Sequence, residues 1–131
     1  MPISFQIDAA VERVYTVATG VITYEDLRLH INADVPPKVV GYPEIIDCCN
    51  ATTDLTADQV RRLAAERKRI ALSRSVAGPV AVVATDDLFF GMLRMFDMLT
   101  SRVRPLQVFR NTTDAERWLD SIAVGIDPLT D

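Results

Sequence analysis

The segment Gly78–Leu99, GPVAVVATDDLFFGMLRMFDML, decides the fold. A Gly-Pro pair breaks whatever precedes it, and VAVVAT follows as an apolar run with no alternating polar side. Such a run fits a central strand buried on both faces, as in a parallel sheet covered by helices. Thr85 or Asp86 then offers an oxygen to the free amides of a helix N-terminus, and the apolar residues beyond it return at helical spacing. One strand feeding directly into one helix is half of a strand-helix-strand crossover, which leaves its two strands parallel.

The pattern repeats on either side. Downstream, Pro105 precedes the strand LQVFR, and Thr112 or Thr113 starts a helix with Ala115, Trp118, Leu119 and Ile122 on one face. Upstream, a strand over Glu44–Cys48 leads through a threonine-rich turn to a helix opened by the capping box Thr56 and Gln59. Before it, Thr23 caps a helix whose apolar face is Tyr24, Leu27 and Ile31, closed by a Pro36-Pro37 loop. The chain begins with two β-rich runs, Ile3–Asp8 and Arg13–Thr19, separated by a short turn that makes them an antiparallel hairpin. The expected order is ββαβαβαβα, an α/β domain with a mixed, mostly parallel sheet flanked by helices. It spans 1–123, with 124–131 as a polar tail.

Length and composition agree with one domain. The 131 residues are 49% hydrophobic and 24% charged, enough to build a core and too apolar for disorder. No stretch of about 18 uninterrupted apolar residues exists, and MPISFQID has no basic leader, so the expectation is a cytoplasmic protein without a membrane span. A net charge of −4 argues against nucleic acid as a partner. The average hides an asymmetry. Between Ala57 and Arg74, six basic residues stand against two acidic ones, a local +4 that leaves −8 for the rest of the chain. This basic helix is either a solvated face or a docking surface for an acidic partner.

Two helices carry residues in unexpected places. Around the helix beginning at Asp86, Leu88, Phe89, Met92, Leu93, Phe96 and Leu99 share one face, with Met95 at its edge and Arg94, Asp97 and Ser101 opposite. Phe90 and Met98 flank that polar stripe, where they suit a dimer contact, an apolar ligand groove or cover from neighbouring loops. In the basic helix, Val60, Leu63, Ala64, Ile70 and Ala71 share a face with Arg67 near its middle. An arginine there must snorkel to the rim or meet an acid or an anionic ligand.

The residues do not assemble a convincing reaction centre. Cys48 and Cys49 would need a base to form thiolate, and His30 is the one imidazole in the chain. The two thiols and one histidine also fall short of a conventional zinc site, and no cofactor is expected. Asp47, Asp86 and Asp87 lie near expected strand ends, where open α/β sheets often bind ligands and three acids could hold magnesium, but the last two are also placed to cap a helix. Glycine loops that cradle phosphates are missing from the sequence. Thr52, Thr53 and Thr56 precede a helix N-terminus with Arg61 and Arg62 nearby. They read either as capping and turn residues or as phosphorylation sites.

The run GPVAVVATDDLFFGMLRMFDML and the ending LQVFRNTTDAERWLDSI, together with the element order, resemble the SpoIIAA-like branch of the STAS superfamily, named for sulphate transporters and anti-sigma factor antagonists. Within them, GMLRMF and the A-x-x-W-L of Ala115–Leu119 carry the resemblance most specifically. It implies a regulatory, non-enzymatic module. Antagonist-type members regulate a partner kinase, and in them a serine beside the helix after the third strand is phosphorylated. The matching segment here, DCCNATTDLT, departs from the D-S-S-G-L type, so Thr52, Thr53 and Thr56 correspond to that switch by position alone. Two readings follow. One is a protein-interaction or self-associating module with Asp47, Thr52, Thr53, Thr56, Arg61 and Arg62 at its regulatory surface. The other is a binder of a small amphipathic molecule, with Phe90, Met95 and Met98 as apolar walls and Arg67 holding an anionic end.

Overall fold

In a computed structural model the described residues are 2–33, 41–71, 78–100 and 105–123. The expected Pro36-Pro37 loop, Arg74, Ser101 and the tail from 124 lie outside them. The elements run β1 (Ile3–Asp8), β2 (Arg13–Ile22), α1 (Tyr24–Asn32), β3 (Glu44–Thr53), α2 (Ala57–Ala71), β4 (Val80–Ala84), α3 (Asp87–Leu99), β5 (Leu106–Phe109) and α4 (Thr112–Ala123). This is the ββαβαβαβα order read from the sequence. The five strands form one sheet in the order β1-β2-β3-β4-β5, antiparallel between β1 and β2 and parallel elsewhere.

Local chemistry explains the boundaries. In the hairpin, Asp8 Oδ1 accepts from the amides of Ala10 and Val11, and Glu12 takes a left-handed conformation, φ 54°, to re-enter β2. Thr23 and Asp26 form a reciprocal capping box at α1, and Thr56 and Gln59 do the same at α2. Asp86 caps α3 by accepting from the Phe89 amide at 2.9 Å. Each cap satisfies amides that would otherwise lack a partner in the first turn.

β4 is buried along its whole length, as the unbroken VAVVA run required. Its alternate residues split between two cores. Val80, Val82 and Ala84 join Ala18, Ile22, Cys48, Ala51 and Phe89 on the face covered by α1 and α3. Ala81 and Val83 join Ile45, Ala115 and Leu119 on the face covered by α4. α2 completes the first side by packing Val60 and Leu63 against Leu27 and Ile31 of α1 and Met92, Met95, Phe96 and Leu99 of α3.

Two expectations need correction. β3 does not end at Cys48 but continues to Thr53, so the threonine-rich turn is strand. Asp47 pairs with Val17 while Asn50 pairs with Thr19, which puts an extra residue into β3 at Cys48–Cys49. This bulge shifts the inward parity and returns Ala51 and Thr53 to the packed side, with Thr52 facing out. β2 likewise runs on to Ile22 to pair with the longer β3. In α3, Leu88 was expected on the packed face but is 50% exposed, whereas Phe90 from the flank packs against the core. α3 lies against β4, β5 and α2, so its first turn meets β5 on the flank that an isolated helical projection leaves open.

Candidate functional site

The thiols sit at the bulge, and the bulge is internally tied. Asp47 Oδ1 accepts from the Cys49 amide at 2.9 Å, and the Thr85 hydroxyl donates to the Cys49 carbonyl at 2.9 Å. Burial and then the neighbouring Asp47 charge push the Cys48 thiol up to about 12. Cys49 is pushed up to about 11 by burial first, then by its contact with Asp47. Both are therefore protonated, weakly nucleophilic thiols at neutral pH. His30 is engaged elsewhere: its Nε2 lies 3.4 Å from Glu44 Oε2, which also accepts from the buried Thr16 hydroxyl at 2.6 Å. Glu44 opens β3, about 13 Å of strand before Cys48.

The residues grouped as a regulatory surface are divided by the sheet. Asp47 and Thr52 belong to the α4 side, and Asp47 is half-buried whereas Thr52 is exposed. Thr53 points the other way, only 8% exposed, with its hydroxyl donating to the Ile22 carbonyl at 2.7 Å and accepting from the Leu55 amide at 3.2 Å. Thr56 is exposed at the start of α2, one turn before Arg61 and Arg62, and Arg61 pairs with Asp58. Thr56, Arg61 and Arg62 are thus exposed at and along the first half of α2, and Asp47, Thr52 and Thr53 lie on β3 outside that group.

The four residues assigned to an apolar groove also diverge. Phe90 is half-buried beneath the Arg110 guanidinium, 3.9 Å from its ring centroid, and Arg110 is held by Asp87 Oδ1 at 2.8 Å and the Thr85 carbonyl at 3.1 Å. Met95 packs between α2 and α3. Met98 is 72% exposed, two helical turns from Phe90, or about 12 Å. Arg67 is half-buried and has an interaction partner. Of the acids near strand ends, Asp86 is the α3 cap and Asp87 the partner of Arg110.

What α2 presents outward is more coherent. Val60, Leu63, Ala64 and Ile70 are buried, and Arg61, Arg62, Lys68 and Arg69 are exposed around the other side. Arg61 and Arg69 are matched by Asp58 and Glu66 along the helix. Sequence reading missed a second surface. An open groove of about 170 Å³ lies between β1 and α1, lined by Pro2, Ile3, Phe5, Leu29, His30 and Ala33, with Asp26 at its rim. Phe5 is 55% and Leu29 57% exposed. The alternation of Ile3, Phe5 and Ile7 did signal an apolar side for β1; that β1 is an edge strand became visible with the sheet order.

Among the described residues no helix is long and apolar enough to cross a membrane. No protein-family model matches the chain, and no curated protein does. Among solved structures it is similar to an uncharacterised protein of the DUF3478 family from Shewanella loihica PV-4, with a SpoIIAA-like fold. The two share 19% identity over 89% of this chain and 93% of the other, with a TM-score of 0.50. A five-stranded, mostly parallel sheet with a leading hairpin, bracketed by four helices in this order, is a SpoIIAA-like fold.

Proposed function

We propose that the protein is a non-enzymatic docking module of STAS-like type, and that the outer side of α2, from Thr56 to Arg69, binds an acidic protein segment. The observation that carries this reading is the exposed set Arg61, Arg62, Lys68 and Arg69 on a helix that anchors itself through Val60, Leu63 and Ile70, in a chain whose net charge is −4. Charge of that sign, concentrated on one rigid helix, steers an acidic partner and fixes its register. Thr56 stands at the positive end of this helix. Added phosphate there would meet the first-turn amides and place negative charge beside Arg61 and Arg62, opposing an acidic partner.

The test is affinity capture from native extract with the wild-type chain and with an Arg62→Glu, Lys68→Glu variant, both checked for helix content by circular dichroism. The expected result is a retained protein that elutes with rising salt and is lost from the variant. Retention that is equal on both chains, or no retained protein at all, refutes the reading.

A further inference from the structure

We propose that two copies of this chain join along their β1 strands, antiparallel and with Phe5 on the two-fold axis, to make one continuous ten-stranded sheet. The register comes from backbone parity. In the β1–β2 ladder Ile3 is opposite Ala18, and the Thr19 amide donates to the Pro2 carbonyl at 2.9 Å. Ile3–Ala18 is therefore a non-hydrogen-bonded pair, and Ser4, Gln6 and Asp8 turn their amides and carbonyls inward to β2. Ile3, Phe5 and Ile7 turn theirs outward, away from the sheet. An antiparallel partner satisfies all three outward residues in one register: Phe5 opposite Phe5 of the second copy, and Ile3 opposite Ile7 in both directions. That arrangement forms about six hydrogen bonds between the copies.

Side chains favour the same register. Ile3, Phe5 and Ile7 lie on the α1 side of the sheet, and a two-fold axis perpendicular to the sheet keeps both α1 helices on that side. The seam would bring the two Phe5 rings together, with Leu29 of each copy beside them, covering side chains that are more than half exposed in the single chain. Asp8, the one charge on β1, falls opposite Pro2 of the second copy and meets no like charge. Exposed edge strands usually carry a lysine, a proline or a bulge that blocks pairing. β1 has none of these from Ile3 to Ile7, and its pairing with β2 is unbroken over six residues. A second copy fits better than a foreign strand because β1 complements itself in charge, in apolar side and in outward hydrogen-bonding groups.

Sedimentation equilibrium of the full chain reads the assembly. The wild type should have twice the 14.6 kDa chain mass. Phe5→Lys places two ammonium groups against each other on the axis and should reduce the mass to that of one chain, with unchanged circular dichroism. Gln6→Lys, on the other side of the strand and opposite Ser4, should leave the dimer intact. A covalent trap gives an independent readout. Phe5→Cys should cross-link under mild oxidation, since directly opposed hydrogen-bonded residues sit about 5.5 Å apart, within disulfide reach. Gln6→Cys and the wild type should not. A monomeric wild type, a dimer indifferent to Phe5→Lys, or equal cross-linking at positions 5 and 6 overturns the proposal.

Discussion

Replacing Thr53 with valine distinguishes a structural hydroxyl from a regulatory one. Position alone made Thr53 a candidate for modification, but in the structure its oxygen bridges the Ile22 carbonyl and the Leu55 amide at the end of β3. Valine has nearly the same shape, so packing is retained and the hydroxyl is what is lost. The Ile22 carbonyl loses this donor, and the Leu55 amide, beside a leucine that is itself buried, is left without its acceptor. An unsatisfied buried donor costs about 1–3 kcal/mol. For a chain of this length that corresponds to a fall in Tm of roughly 3–12 °C. Thr52→Val, one residue away on the exposed side, should remain within about 0.5 kcal/mol of the wild type. Urea denaturation followed by circular dichroism gives both values, with unchanged m confirming that the same transition is compared. Equal stability of the two variants would refute the bridging role and reopen Thr53 as an accessible site.

Gly78→Ala should destabilise the fold by about 1–3 kcal/mol in the same assay, because a methyl group at that position would collide with the Tyr42 carbonyl oxygen, forcing backbone to move; wild-type stability would show that the Tyr42 strand entry is freely displaced. The thiols should react with a maleimide or a disulfide reagent far more slowly than a free cysteine at pH 7, and rates should climb as pH rises toward about 11 for Cys49 and about 12 for Cys48. Both folded values lie above the ordinary thiol value of 9.0, so the unfolded chain loses these protons first and stability should fall with pH from about 9 upward. Fast labelling at neutral pH without loss of fold would overturn the assignment of inert thiols.

The parts of the fold that were legible in the sequence are those fixed by neighbours along the chain. Thr56 and Gln59 form their reciprocal bonds within one turn, Asp86 reaches the Phe89 amide three residues on, and an unbroken VAVVA can be satisfied only by cover on both sides. What was hidden depends on partners far away in sequence. The Cys48–Cys49 bulge is defined by one residue of β2, Ala18, against two of β3, and nothing within DCCNATT announces it. Without the bulge, Thr52 and Thr53 read as a polar turn; with it, one is surface and the other core. Phe90 looked unclaimed because its cover, Arg110, arrives from beyond β5. Thr16, Glu44 and His30 come from three elements and have no common motif.

Four helices are also too few to cover this sheet, and the shortfall determines where recognition can occur. A helix about 10 Å across spans roughly two strands at 4.8 Å spacing. α4 accordingly sits mainly on β4 and β5 and touches β3, and on that side Val17 and Val21 of β2 remain exposed together with Ser4 and Gln6 of β1. On the other side α2 packs onto α1 and α3, so that two helices remain for five strands and Phe5 at the far edge is left open. Adding α2 to this second layer has a further consequence: its outer side stands clear of the sheet and presents four cations on a well-packed support. The β1 edge and the α2 exterior are thus two products of one packing constraint. They lie on different elements, so Phe5→Lys should split a dimer without removing an α2 partner, and Arg62→Glu with Lys68→Glu should remove the partner without splitting the dimer. Loss of both properties in either variant would mean that the two surfaces form a single site and that this geometric separation is wrong.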